Sequence, residues 1–365
     1  MSAPDLPPSP GVGARRKGPR TLPRLPLSAF SPPNSGTSDR FPLPASPSTV
    51  HPESIIDAHV VSSEGNLDQW TAEAGKELGG RIDGVVLVIK NETNLEQAVA
   101  SLSKSNVPIT SLVVPYPLQS GVPTNPSSLL KSSPIPIALS SLFKGPSPSH
   151  QEGIKWALSQ GHVVHLDVGL DLHSNAGDEP WEVLEEFVGN SVGAPGSGAK
   201  GAIVLSNILP PSHTYNIPIV KLLNHPTYLA YQAHLASLSL IPLTYIDFLP
   251  PDWDTPTPPT PPPHGSILSP AMSPMTPGGT VDDKFQDSKE KREWKRRIKM
   301  YLGPAVEAFG LERIIFGSSP STFSKSKSRA GDWYELARES LAELGIEQEG
   351  IDAVFRNNAI KVYSS

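Results

Sequence analysis

Apolar residues along the chain fall into short runs that are separated by longer amphipathic stretches. Eight of these runs are rich in β-branched residues and nearly continuous rather than alternating, at 54–61, 83–90, 109–117, 134–143, 162–170, 201–209, 240–249 and 313–319. Continuous apolar runs of this length are typical of parallel strands that are buried on both faces. We therefore predict eight parallel β-strands.

Helical patterns lie between most of these runs, at about 67–78, 94–104, 150–160, 180–188, 220–238, 291–302 and 332–344. In the pattern at 291–302, Trp294, Ile298 and Tyr301 form one apolar stripe of a helix. Asp332 and Glu335 have the spacing of a capping box for the last helix. The link between the third and fourth strands carries no such pattern.

The alternation of strands and helices predicts an α/β fold of the (β/α)8 TIM-barrel type. The main alternative is a doubly wound open sheet. That fold accommodates six strands more easily than eight, and no glycine-rich phosphate turn follows the first strand. The pattern therefore favours the barrel.

Proline and serine dominate two segments outside these patterns, residues 1–50 and about 250–283. Dense proline prevents both helix formation and strand pairing, and few aliphatic residues are present to form a core. We predict a disordered, locally basic tail at 1–50 and a barrel at 51–365. A disordered Pro-rich insertion interrupts this barrel before its last helix–strand unit.

Composition narrows the functional classes. The net charge of −6 argues against a nucleic-acid partner, because nucleic-acid-binding domains usually carry a basic face. The absence of cysteine excludes disulfides and thiolate zinc sites. No apolar run reaches the ~18–20 residues needed to cross a bilayer, and no secretory pattern opens the chain. We expect a cytoplasmic protein without a membrane partner, with nucleus and mitochondrion as open alternatives.

Several motifs resemble those of the amidohydrolase-related superfamily. The stretch IIDAHVV at 55–61 resembles its first strand, D-x-H-x-H, and RIIFGSSPS at 313–321 resembles its last strand, R-x-x-F-G-S-D-W-P. The final stretch, at 351–363, resembles its terminal helix, in which an Asn-Ala pair precedes an aromatic residue. HVVHLDVG and GAIVLSNILPP resemble its fifth and sixth strands. The resemblance implies a barrel whose relatives hydrolyse or decarboxylate small molecules, commonly with a bound metal.

The metal ligands that this resemblance implies are only partly present. The first-strand pair falls on His59 and Val61, and the fifth-strand ligand falls on His165. The sixth-strand histidine falls on Asn207, and the last-strand aspartate, which is both ligand and general base, falls on Ser319. Catalytic zinc needs about three protein ligands, and a serine without an activating partner does not replace the base. We therefore predict that metal-dependent hydrolysis is lost and that no cofactor is bound.

The strand ends nevertheless carry enough polar side chains for a binding site. His165 and Asp167 lie on one face of the fifth strand, and Asp247 ends the seventh. Asp247 and Ser319 are the candidates for any catalytic role. The predicted ligand pocket consists of His59, His165, Asp167, Asn207, Asp247, Ser318 and Ser319.

Other interpretations stay open. His59 and the His165–Asp167 pair are equally compatible with a structural role in the core. An active hydrolase or decarboxylase would use zinc or another divalent metal and would complete its site with Asp167, Asp247, His173 or His264. An interaction protein would bind partner domains through the Pro-rich tail and insertion.

Overall fold

The structure is a computed structural model of the 365-residue chain. It describes residues 49–62, 66–90, 107–124, 126, 130, 133–172, 178–193, 198–213, 215–259 and 281–364. Nearly all of the predicted tail, the predicted helix at 94–104 and most of the predicted insertion lie outside the described residues.

Within these residues, eight parallel strands form a single sheet in the order of the sequence. They are β1 (Ile55–Ser62), β2 (Ile82–Ile89), β3 (Ile109–Pro115), β4 (Ile137–Phe143), β5 (Val164–Val168), β6 (Ile203–Leu209), β7 (Thr244–Phe248) and β8 (Ile314–Phe316). Just beyond β8, the backbone N–H of Ser319 donates to the carbonyl of His59 at 2.9 Å and so links the last strand to the first. The sheet is a nearly closed (β/α)8 barrel, and this prediction is confirmed.

Helices follow most of the strands in the described part of the chain. They are α1 (Asp68–Gly79), α2 (Pro148–Ser159), α3 (Glu179–Val192), α4 (Ile219–Leu222), α5 (Pro226–Ser239), α6 (Val281–Phe309), α7 (Ala330–Glu343), α8 (Gln348–Asp352) and α9 (Asn358–Tyr363). Leu118–Ser120 forms a short 3-10 helix between β3 and β4. None of the described helices is both long and apolar enough to cross a bilayer.

Two helix predictions need correction. The single helix predicted at 220–238 is wrong, because Pro226 cannot continue α4 and instead occupies the first turn of α5. The capping box is also wrong. Helix α7 begins after Arg329, which makes no side-chain capping bond, whereas Glu335 forms an ion pair with Arg338. The apolar stripe of α6 is confirmed, since its three predicted members are fully buried.

The inside of the barrel is filled by residues that alternate along the strands, together with α9. This cluster contains Ile56, Ala58, Val86, Val88, Val113, Ala138, Val204, Tyr245, Ile315, Ala359, Val362 and Tyr363. Asn358 attaches α9 to the start of β8, because its side-chain amide donates to the carbonyls of Leu311 at 2.7 Å and Ile314 at 2.8 Å. The Asn-Ala pair of the terminal motif therefore anchors the helix that covers the amino-terminal ends of the strands. The opposite end is left for the site.

The Pro-rich segment predicted at about 250–283 differs from the prediction at both ends. Residues 250–259 pack on the barrel: Trp253 is fully buried and its indole N–H donates to the carbonyl of Pro211 at 3.0 Å. At the other end, α6 already begins at Val281. Residues 250–259 form neither helix nor strand, and the proline content did not reveal the aromatic anchor among them.

Candidate functional site

A bulge in β1 determines which side chains reach the barrel mouth. The register with β2 shifts between Asp57, which pairs with Val85, and Val60, which pairs with Leu87. The extra residue breaks the alternation, as β-bulges do. Asp57 consequently lies against α1, where its carboxylate accepts the indole N–H of Trp70 at 3.1 Å. His59 faces the mouth.

His59 is held in one orientation by β8. Its Nδ1 lies 3.0 Å from the backbone carbonyl oxygen of Ser319. A carbonyl only accepts, so Nδ1 carries the proton and Nε2 keeps its lone pair. Burial, together with the charge of the neighbouring His165, lowers the pKa of His59 to about 4. His59 is therefore a neutral acceptor at neutral pH.

The close approach of β8 to His59 requires the glycine of the FGSS motif. A Cβ added at Gly317 would overlap the Cβ of His59 and would lie 2.6 Å from a methyl group of Leu249. The backbone of Gly317 does not need a positive φ, so the requirement is for space alone. The motif therefore positions the site without contributing a reactive group to it.

His165 and Asp247 form the buried polar centre of the barrel. His165 Nε2 lies 2.6 Å from Asp247 Oδ2, and the hydroxyl of Ser206 donates to the same carboxylate oxygen at 2.8 Å. Burial opposes a charge on the ring, but the carboxylate outweighs burial and raises the pKa of His165. The second oxygen, Oδ1, is buried and has no hydrogen-bond partner among the described residues. The cluster thus retains one free acceptor, a position where buried water or a ligand is expected.

Asp167 is fixed by the loop after β8. The hydroxyls of Ser321 and Thr322 both donate to its carboxylate at 2.8 Å. Burial raises the pKa of Asp167, while these two hydrogen bonds act in the opposite direction. The carboxylate is therefore partly solvated by protein hydroxyls instead of water.

The remaining predicted residues take structural positions. Ser318 faces the outer layer, where Trp70 donates to its hydroxyl at 3.0 Å and its backbone N–H donates to Asp57 at 2.8 Å. The Ser319 hydroxyl accepts the backbone N–H of Val61 at 3.1 Å. Asn207 adopts a left-handed conformation (φ 66°), and its amide donates to the carbonyl of Val168 at 3.0 Å. None of these contacts makes a serine–histidine hydrogen bond that would activate a nucleophile.

The mouth is a cavity of about 380 Å³. Of the seven predicted pocket residues, His59, His165 and Asp167 line it, together with Lys90, Tyr116, Gln119, Thr322 and Phe323. Asp247 is fully buried beside His165 and does not line the cavity. Ser318, Ser319 and Asn207 do not line it either. The structure thus brings together the two histidines and one carboxylate.

The donors at the mouth do not fit a catalytic zinc ion. Val61 has no donor atom, the hydroxyl of Ser319 bonds to the backbone, and Nε2 of His165 is engaged by Asp247. The rings of His59 and His165 are stacked, with centroids 5.2 Å apart and planes 23° from parallel. Nearly parallel rings direct their lone pairs along separate lines, whereas zinc needs lone pairs that converge at ~2.0–2.1 Å.

Three potential ligand atoms do converge elsewhere among the described residues, on His51, Glu77 and Glu335. Arg338 forms an ion pair with Glu335 at this grouping. Burial, Arg338 and Arg81 together lower the pKa of His51. A guanidinium therefore already neutralises one of the two carboxylates there, that of Glu335. The other proposed ligands, His173 and His264, lie outside the described residues.

Sequence reasoning missed the hydroxyls of Ser206, Ser321 and Thr322, which solvate the two buried carboxylates. Ser206 precedes Asn207 at the end of β6, so its position offered a signal. Ser321 and Thr322 contact a residue more than 150 positions away along the chain. No local pattern identifies such a contact.

No protein-family model matches the sequence, and no curated protein matches it. Solved structures do. An amidohydrolase from Burkholderia multivorans superposes with a TM-score of 0.51 at 11% identity, over 85% of this chain and 99% of that one. The protein shares the (β/α)8-barrel fold of that structure. A Pseudomonas putida protein, provisionally assigned as a 2-pyrone-4,6-dicarboxylic acid hydrolase, gives a TM-score of 0.50 at 13% identity, over 85% and 97% of the two chains. At these identities the likeness establishes the architecture of this chain, and its chemistry has to be argued from the site.

Proposed function

We propose that this (β/α)8-barrel protein binds a small molecule at the barrel mouth and does not catalyse metal-dependent hydrolysis. One observation carries the proposal. Of the groups that would hold a metal, His165 is paired with Asp247, the hydroxyl of Ser319 bonds to the backbone of Val61, and only His59 keeps an open lone pair, on Nε2. What remains available at the cavity is the Nε2 acceptor of His59 and the Asp167 carboxylate.

The cavity supports binding by its size and its lining. A volume of about 380 Å³ lies in the range of ligand sites, which is roughly 300–1,000 Å³. Tyr116 and Phe323 supply aromatic surface, while His59, His165 and Asp167 supply polar groups in fixed orientations. A few fixed polar groups in a partly apolar cavity are typical of small-molecule recognition.

Metal analysis of the purified protein tests the negative half of the proposal. We expect substoichiometric zinc and manganese, and no hydrolysis of lactone, ester or amide substrates when either metal is added. His59→Ala removes a histidine from the mouth. The matched control, His51→Ala, removes one from the group formed by His51, Glu77 and Glu335. The proposal would be refuted if the wild type turned over a substrate and contained stoichiometric metal that was lost in His59→Ala and kept in His51→Ala.

Ligand screening tests the positive half. Thermal-shift screening of metabolite mixtures should yield a compound that stabilises the wild type and has a weaker effect on Asp167→Asn. Asp83→Asn is the control, because Asp83 lies at the start of β2 and pairs with Arg356, away from the mouth. Equal responses of the two variants to every hit would argue against binding at the mouth.

A further inference from the structure

A second cavity, of about 590 Å³, lies next to the mouth. The end of β1, the first turns of α1 and the loop between β8 and α7 surround it. Lys90 lines both cavities, and Ser319 lines the second. A ligand bound in the mouth therefore has a neighbouring compartment within reach.

One wall of this compartment is an extended segment, residues 324–329, which we call the serine strap. Its serines, at 324, 326 and 328, are partly buried, and the intervening Lys325, Lys327 and Arg329 are exposed. The three serines and Lys327 line the cavity. Two hydrogen bonds fix the strap to the segment after β7. The backbone N–H of Lys325 donates to the Asp252 carboxylate at 3.0 Å, and the backbone N–H of Thr257 donates to the carbonyl of Lys327 at 3.1 Å. The strap, along which serines and basic residues alternate, is therefore a fixed wall of the cavity.

The strap presents donors that have no acceptor. The hydroxyl oxygens of Ser326 and Ser328 are buried and have no hydrogen-bond partner among the described residues. Leaving such groups unpaired is costly, and a hydroxyl can rotate to donate to whatever oxygen arrives. In a native structure, two adjacent groups of this kind call for a missing partner.

The charge of the compartment is positive. Lys90 and Lys327 line it, and in the described part of the chain neither lysine forms an ion pair. Glu73 is the acidic residue of the lining, and the side-chain amide of Gln69 donates to it at 2.8 Å. Two ammonium groups and several hydroxyls around one space match an anionic oxygen group, which accepts from both kinds of donor.

We propose that this compartment binds a phosphate or carboxylate group and that the ligand of the mouth carries this group. The second part rests on the proposed function, whereas the first part does not. The shared Lys90 places the anionic end of such a ligand between the two cavities. The neutral remainder then lies against His59 and Asp167.

Calorimetric titration of the purified full-length protein tests the site, with inorganic phosphate and malonate as probes at constant ionic strength. We expect saturable binding of at least one anion. Phosphate alone would indicate a phosphate ester as the ligand group, and malonate alone a carboxylate. Lys327→Met should weaken binding by about tenfold, because it removes one charge-assisted contact. Lys325→Met is the matched control and should bind like the wild type.

Ser328→Ala separates a binding role from a structural one. Its hydroxyl makes no hydrogen bond in the described structure, so the variant should keep the unfolding temperature of the ligand-free protein and still bind the anion several-fold more weakly. The anion titration probes this compartment and the metabolite screen with Asp167→Asn probes the mouth, so failure of one site is distinguished from failure of the other. Absence of saturable binding, or equal weakening in Lys325→Met and Lys327→Met, would overturn the inference.

Discussion

The contact between Gly317 and His59 makes a sharp prediction about barrel closure. In Gly317→Ala, the new methyl group would overlap the Cβ of His59 and lie 3.1 Å from its backbone nitrogen. The third neighbour, the end of the Leu249 side chain, can rotate away. The two His59 atoms cannot move alone, because the β1 backbone is held to β8 by the hydrogen bond from Ser319 N–H to the His59 carbonyl.

The size of the destabilisation depends on which atoms must move to make room for the methyl group. Inserting a methyl group into a packed site costs about 1–3 kcal/mol, and this site lies at the upper end because rigid backbone resists the displacement. Weakening the closing hydrogen bond adds about 1 kcal/mol. We expect Gly317→Ala to lower the free energy of unfolding by about 3–4 kcal/mol.

Urea unfolding followed by circular dichroism measures this loss. Gly189→Ala in α3 is the control, because an added methyl there meets only the Ile241 side chain, at an ordinary contact distance of 3.8 Å. Replacing this helical glycine should stabilise the protein by about 0.5–1 kcal/mol. If Gly317→Ala stayed within about 0.5 kcal/mol of the wild type, the account of β8 as a strand pressed against His59 would be wrong.

Three further predictions concern stability. Burial lowers the pKa of His150 to about 4 against 6.5 in the unfolded chain, so the unfolded state gains its proton first and stability is lost as the pH falls from about 6.5 toward 4. Between pH 7 and 5, the free energy of unfolding measured with urea should fall by about 1 kcal/mol more in the wild type than in His150→Gln, a figure that allows for solvent near the ring. Equal losses in the two proteins would contradict this prediction. Trp253→Ala should cost about 3–5 kcal/mol in the same assay, because the ring is fully buried and lies 4.7 Å from that of Trp294; a neutral result would mean that 250–259 is a spacer. Asn358→Ala should cost about 2 kcal/mol, since it leaves the Leu311 and Ile314 carbonyls without their donor, and an unchanged unfolding midpoint would count against anchoring of α9.

The strands were predictable because a residue buried on either face must be apolar, which leaves a continuous signal in the sequence. The eight predicted runs contain the observed strands almost entirely, with differences of up to four residues at their ends. The helix ends were less predictable. Asp332 and Glu335 have the right spacing for a capping box, but α7 begins at Ala330, so Asp332 lies inside the helix and Glu335 pairs with Arg338.

The site residues were predictable where their position in a strand alone determines whether the side chain reaches the cavity. His165 and Asp167 reach the cavity because alternate residues of one strand share a face. Ser318 was assigned to the pocket because it ends the last strand. It lies outside the pocket, since the bulge in β1 and the closure by β8 place Asp57 and Trp70 beside it. Asn207, read as a replaced ligand, joins the ends of β5 and β6 instead. The pattern of polar and apolar residues does not predict irregular backbone at the rim of the barrel.

Charge compensation explains why the mouth has this composition. A barrel that buries two histidines and two carboxylates must balance them, because isolated buried charges are too costly. Here the Asp247 carboxylate balances His165, and two hydroxyls solvate Asp167. A divalent cation at the same place would have to displace the proton shared by His165 and Asp247 and break the stacking with His59. The internal pairing therefore competes directly with metal binding.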